Sequence, residues 1–151
     1  MRVSAKADYA VRAAVELAAA GEGPVKGEAI AQAQDIPLRF LENILAELRH
    51  AGLVQSQRGA DGGYWLAREP SEVKIADVIR AVEGPLASVR SERPEELSYQ
   101  GAAEPLRDVW VALRANIRDV LELVTLADVV ERDLPAPVVK LTKGPEVWES
   151  H

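Results

Sequence analysis

The chain contains no cysteine. That excludes disulfides, thiolate metal sites and a cysteine nucleophile. Histidine is scarce: the 2 present, His50 and His151, lie far apart, and no acidic ligands cluster with either to complete a zinc site. No metal site is therefore expected. No apolar run is long enough to cross a bilayer. The first residues lack a basic segment followed by an apolar one, so no signal peptide is expected and the expected location is the cytoplasm. The chain also lacks a Gly-x-Ser-x-Gly elbow and a phosphate loop with its lysine. Gly59, Gly62 and Gly63 are spaced as a hairpin turn, not as a strand-to-helix phosphate cradle. No catalytic residue is assigned, and an enzyme is not expected.

Excess positive charge is lacking as well. The net charge is −6, which at first argues against nucleic acid. Its distribution matters more. Residues 1–70 hold 8 basic and 9 acidic side chains, whereas residues 71–151 hold 10 and 15. The segment 36–68 is net +1, so the acid lies outside it. Such a weak electrostatic footprint implies few phosphate contacts per subunit, and tight DNA binding would then require a dimer.

That segment is the informative one. Leu41, Ile44, Leu45 and Leu48 fall at helical spacing and form one apolar stripe. Arg39, Glu42, Asn43 and Glu47 fall off it and are expected to face outward. Pro37 suits a first turn, where a missing N–H costs nothing. Gly52 can take the left-handed position after the helix, letting Leu53 pack back on Leu48. The chain then alternates through residues 55–58, turns at the glycines, and returns through Tyr64, Trp65 and Leu66, which reads as a β-hairpin. Helix followed by hairpin is the layout of a recognition helix with its wing. Arg, Glu and Asn match the hydrogen-bonding edges of guanine, cytosine and adenine. Arg58, next to Gly59, is placed to reach a phosphate or a narrow minor groove. The bland alternative is a solvated surface helix.

The flanking segments complete a domain. Residues 4–20 predict an alanine-rich helix capped by Ser4 and stopped by Gly21, with Asp8 and Arg12 as an i,i+4 ion pair. Residues 21–26 read as a turn, and residues 27–34 as a short helix that must end before Pro37. Short helix, turn and longer helix make a helix-turn-helix. Ile75, Val78, Ile79 and Val82 mark a fourth helix closed by Gly84-Pro85. Residues 85–104 read as a polar surface connection, with Tyr99 its one aromatic. Pro105 opens the longest helix, expected to run to about Ala127. Its apolar residues Leu106, Trp110, Leu113, Ile117, Val120 and Val124 are spaced 4, 3, 4, 3, 4, the seam of a two-helix packing. Meeting a symmetry mate is the favoured reading; a core helix is the alternative. The prolines of residues 135–151 suggest a mobile tail.

The expected fold is thus mainly α: a winged helix-turn-helix domain with a two-stranded β wing over 1–84, a connecting loop over 85–104, a dimerisation helix region over 105–134, and the tail. A small-molecule pocket between the winged domain and the long helix, lined by Asp8, Tyr99 and Trp110, is a further expectation, although aromatics at helical spacing also serve as plain core.

These motifs together resemble the bacterial Rrf-type regulators, the superfamily of the iron–sulfur cluster regulator, the nitric-oxide-sensing repressor and the cysteine-metabolism repressor. The resemblance rests on Asp8-Tyr9-Ala10, Ile36-Pro37, Phe40-Leu41, Ile44-Leu45, Leu48-Arg49, Ala51-Gly52-Leu53-Val54, Ser56, Arg58-Gly59, Gly62-Gly63-Tyr64, Leu66-Ala67, Asp77-Val78-Ile79 and Val82-Glu83-Gly84. It spans about residues 1–130. It implies a homodimeric, DNA-binding transcription regulator, more often a repressor, that reads a palindromic operator in double-stranded DNA. Helix 37–51 would enter the major groove, with wing 55–66 beside it. By position, Arg39, Glu42 and Asn43 would face the bases, and Arg58 with Gly59 would enter from the wing. Relatives often carry a small residue at the place of Arg39, which bears on the half-site sequence. Cluster-binding relatives carry three cysteines where this chain has residues 91–104, and some use a helix-one residue at the place of Asp8 or Arg12. Without thiolates a carboxylate cannot hold a cluster, so no iron–sulfur cofactor is expected. The cysteine-free members resemble the cysteine-metabolism branch, in which the signal can be a partner protein or a metabolite. A competing reading is a winged-helix protein-interaction adaptor that reads no DNA.

Overall fold

A computed structural model describes residues 1–151. Helix α1 (Ala5–Ala20) begins where the Ser4 hydroxyl accepts the Ala7 N–H at 3.0 Å. Its buried face is Ala7, Ala10, Ala13, Ala14, Leu17 and Ala18. Methyl-sized side chains let several neighbours approach closely, and α1 becomes the spine of the domain. It packs against α2 (Gly27–Gln34), α3 (Leu38–His50), α4 (Ile75–Glu83) and α6 (Leu126–Val130). Asp8 and Arg12 form the expected pair at 2.9 Å.

Helix α3 buries Leu41, Ile44, Leu45 and Leu48, each at most 1% exposed. Removing each such side chain from water contributes at most about 2–3 kcal/mol. The helix ends as its sequence dictates. Gly52 adopts φ +80°, the Gly52 N–H reaches the Arg49 carbonyl, and the Leu53 N–H reaches the Leu48 carbonyl, both at 3.0 Å. This pair of bonds satisfies carbonyls that the helix leaves open, and it turns Leu53 inward. Glu47 departs from the outward-facing expectation. It is half-buried and paired with Lys6 of α1 at 2.9 Å, so it docks α1 to α3.

Strands β1 (Val54–Gln57) and β2 (Gly63–Leu66) pair antiparallel, Val54 opposite Leu66 and Gln57 opposite Gly63. Each begins one residue before its expected position, which leaves Arg58 in the turn. The segment 21–26 is more than a turn: Val25 exchanges two backbone hydrogen bonds with Tyr64, both 2.8 Å. Gly63 is required there. A Cβ on it would stand 2.6 Å from the Val25 carbonyl oxygen, at φ +153°.

The larger departures follow α4. The connection 85–104 is not merely superficial, because Leu86, Pro94 and Leu97 are buried. Helix α5 (Leu106–Leu121) stops six residues short of Ala127. Thr125 then caps α6: its hydroxyl accepts the Asp128 N–H at 3.1 Å, and the Asp128 carboxylate accepts the Thr125 N–H at 2.9 Å. Val124 therefore lies off the long helix and leaves the expected seam. It is 6% exposed, and its carbonyl accepts the Ile75 N–H at 3.0 Å. Leu126 is wholly buried in the winged-domain core. The span 105–134 is thus split, α5 standing outside the core and α6 returning to it. The tail holds a further short helix, α7 (Ala136–Leu141), and a helical turn in which Trp148 donates to the Thr142 carbonyl at 2.9 Å. No helix is long and apolar enough to cross a membrane.

Candidate DNA interface

Burying the leucine stripe of α3 forces the opposite side of that helix outward. Arg39, Glu42 and Asn43, at i, i+3 and i+4, are all exposed on it. The entry of α3 is held by a stack that runs back into α1. The Phe40 ring meets the Tyr9 ring edge-on at 6.1 Å between centroids, and the Arg12 guanidinium lies 4.9 Å from the Tyr9 centroid. Arg12 also donates to the Gln34 carbonyl at the end of α2, at 2.6 Å. Arg12 thereby ties the end of α2 to the Tyr9 ring on which Phe40 of α3 rests. Half-exposed Phe40 is explained by this contact.

The wing projects Arg58 and Gly59 into solvent beside α3. Gly59 adopts φ +106°, a conformation that side chains disfavour. A Cβ on Gly62 would overlap the Gln57 carbonyl. The glycines therefore let five residues close a tight loop without strain. Besides the pairing of Val25 with Tyr64, two side-chain contacts anchor the wing to the domain. Arg49, in the last turn of α3, donates to the Ser56 hydroxyl at 3.1 Å. Lys26 donates to the Gly59 carbonyl at 2.9 Å. Lys26 is the cation that sequence reasoning missed. It precedes α2 by one residue, and only the pairing of Val25 with Tyr64 carries it to the wing tip.

The second candidate set is divided. Trp110 donates its indole N–H to the Tyr99 hydroxyl at 2.9 Å, so these two meet. Asp8 does not join them. It is exposed on α1 and held by Arg12, and it is absent from the walls of the two main cavities that hold Trp110 and Tyr99. The three-residue pocket is therefore corrected. Instead, an apolar cleft of about 720 Å³ lies between α5 and the winged domain. Trp110, Leu113, Ile117 and Val120 wall one side, and Met1, Val3, Ile79 and Leu86 belong to the other. No residue of α5 is fully buried, and Leu106 and Val109 are exposed.

Ion pairs tie α5 to its surroundings. Glu122 receives Arg80 of α4 and also Arg118, and Glu95 of the connection receives Arg114. Hydrogen bonding from Arg80 is the main cause holding the Glu122 carboxyl below its ordinary range. For Glu95 the main cause is a backbone hydrogen bond, followed by Arg114.

The chain matches known proteins along most of its length. The Rrf2 family, described as iron-dependent transcriptional regulators, matches residues 3–132. An HTH-type transcriptional regulator of Mycobacterium tuberculosis strain H37Rv, Rv1287, is 52% identical over 99% of this chain and 94% of its own length. The HTH-type transcriptional regulator CymR of Bacillus subtilis is 38% identical over 85% of this chain and 88% of its own. Among solved structures, that of CymR, titled the global cysteine regulator of B. subtilis, superposes with a TM-score of 0.74 at 36% identity, covering 87% of this chain and 98% of its own. T. potens IscR superposes at 0.71 and 37% identity, covering 99% and 97%. The mainly helical fold with its two-stranded wing is that of these structures. The iron in the family description finds no matching donor set here. There is no thiolate, no three histidine or acidic side chains converge, and Asp8 is engaged by Arg12.

Proposed function

The chain belongs to the Rrf2 family of HTH-type, DNA-binding transcription regulators, and on that premise we propose that it acts as a homodimeric repressor in the cytoplasm that reads a palindromic operator. The observation that carries this reading is the two-sidedness of α3. Its leucine stripe is spent on the core, and Arg39, Glu42 and Asn43 remain free on the opposite side. These side chains enter the major groove and contact base edges. Arg58 and Lys26, at the wing, take the phosphates or the adjoining minor groove. Rrf2 relatives are transcriptional regulators, not enzymes, and no catalytic constellation competes with this assignment.

The second copy fills the apolar cleft beside α5. A helix with a half-exposed seam of Trp110, Leu113, Ile117 and Val120 gains its missing cover from its symmetry mate. Val124 is no part of that seam. Pairing also compensates for the weak charge of a single reading unit, because two modest footprints add on one duplex. We propose further that this member works without an iron–sulfur cluster and takes its signal from a metabolite or a partner protein.

Selection of bound sequences from random duplex DNA, with sedimentation of the same protein, tests the reading. The expected result is an enriched inverted repeat bound by a dimer, with strong salt dependence. Arg58→Ala is expected to weaken binding across all sequences, whereas Glu42→Ala changes the preferred bases. A monomer that enriches no sequence would overturn the proposal in favour of an adaptor.

A further inference from the structure

A second cavity, of about 440 Å³, lies where α4, the connection and α5 meet. Four arginines line it: Arg80 from α4, Arg93 from the connection, and Arg114 and Arg118 from α5. Four arginines thus share one wall in a chain of net charge −6. Two carboxylates answer it. Glu95, in the wall, receives Arg114, and Glu122 receives Arg80 and Arg118. Four guanidiniums against two carboxylates leave an excess of two positive charges. Arg93 forms no direct ion pair, and its charge acts on Glu95 only at longer range.

Structural ion pairing does not account for this surplus. Each guanidinium offers several N–H donors, and the side-chain hydrogen bonds use one from Arg80, one from Arg114 and one from Arg118. Like charges gathered in a concave, polar wall repel one another unless an anion is shared between them. The volume is that of a small-molecule site, typically about 300–1,000 Å³. A carboxylate presents only two oxygens, too few to engage Arg93, Arg114 and Arg118 together. A phosphoryl group presents three, at a charge near −2, which matches the surplus.

We propose that this cavity binds a small phosphorylated metabolite, its phosphoryl group shared among Arg93, Arg114 and Arg118. Because the walls come from both the winged domain and α5, occupancy fixes the angle at which α3 is carried on the dimer. That consequence rests on the DNA-reading function proposed above; the anion binding does not.

Calorimetric titration of the full chain with inorganic phosphate and with pyrophosphate, at constant ionic strength set by NaCl, tests the site directly. The expected result is saturable binding at one site per chain, weakened about tenfold or more by Arg93→Gln and by Arg118→Gln. Arg93 makes no direct ion pair and acts on Glu95 only as the weakest of its charge partners, so its variant is expected to melt close to the parent. Arg58→Ala is expected to bind the anions unchanged, which separates this cavity from the DNA surface. Heat no larger than from NaCl, or equal binding by Arg93→Gln, would overturn the site. Citrate binding as tight as pyrophosphate would overturn its phosphoryl selectivity. Uniform loss of DNA affinity in both arginine variants without anion binding would make the cluster a DNA-backbone contact and overturn it too. If the site binds, pyrophosphate is expected to shift operator affinity in the parent and not in Arg93→Gln; an unshifted affinity would remove the regulatory consequence alone.

Discussion

Helices α3 and α5 are built on the same plan and have opposite fates. Both are amphipathic, with one apolar stripe and two or three arginines. Helix α3 buries four large side chains to 1% exposure or less, whereas α5 buries none fully. The stripe of α3 meets three helices of its own chain, so its outward side is fixed absolutely. The stripe of α5 meets an open cleft and a set of exposed ion pairs. Amphipathicity therefore says that a face will be covered and not by what. A folded core covers the first stripe, and the second is left half-exposed beside the cleft.

The sharpest way to break this contrast is to remove one residue from each stripe. Leu45→Ala is expected to cost about 3 kcal/mol, because a methyl-sized remnant leaves a cavity in a close-packed core. Urea unfolding measures it, and the loss is expected to be independent of protein concentration. Ile117→Glu is expected to act differently. It leaves helix content nearly unchanged, by circular dichroism, and converts a dimer to a monomer in sedimentation. A concentration-independent loss comparable to Leu45→Ala would mean that α5 belongs to the core after all.

Smaller changes sharpen the boundary between the two regions. Thr125→Ala removes the cap on α6 and is expected to cost about 1 kcal/mol in the same unfolding measurement. The smallest effect comes from acid. Glu95 and Glu122 have carboxyl pKa values lowered from 4.5, by the backbone hydrogen bond and Arg114 for the first and by Arg80 for the second. A lowered folded-state pKa favours the ionised form in the folded chain. Its contribution is therefore full above about pH 4.5 and is withdrawn as pH falls through the folded-state value. The melting temperature is expected to fall more steeply between about pH 5 and pH 3 in the parent than in Glu122→Gln. Equal slopes would show that the Arg80–Glu122 pair adds nothing to the junction of α4 and α5.

The parts legible in the sequence were those whose determinants are local. The α3 stripe, its Gly52 stop, the glycine hairpin and the Ser4 cap each sit within a few residues of what they determine. The cap at Thr125, with Asp128 three positions later, was equally local, and it was hidden only by the regular spacing that ran through Val124. Attending to the threonine would have ended α5 before Thr125. Other features had no local signal. Glu47 reads as solvent-facing on its own helix and is half-buried only because Lys6 comes down from α1. Lys26 reaches the wing through Val25, and Asp8 faces away from Tyr99 and Trp110.

The sequence alone determined the elements and which side of each is apolar, because helix periodicity, capping and glycine conformation are short-range matters of sterics and hydrogen bonding. Tertiary structure alone decided which distant charges meet: Lys6 with Glu47, Arg80 with Glu122, and four arginines around one cavity. Coulomb attraction depends on distance in space, and residues forty positions apart become neighbours only when the core packs their backbones together.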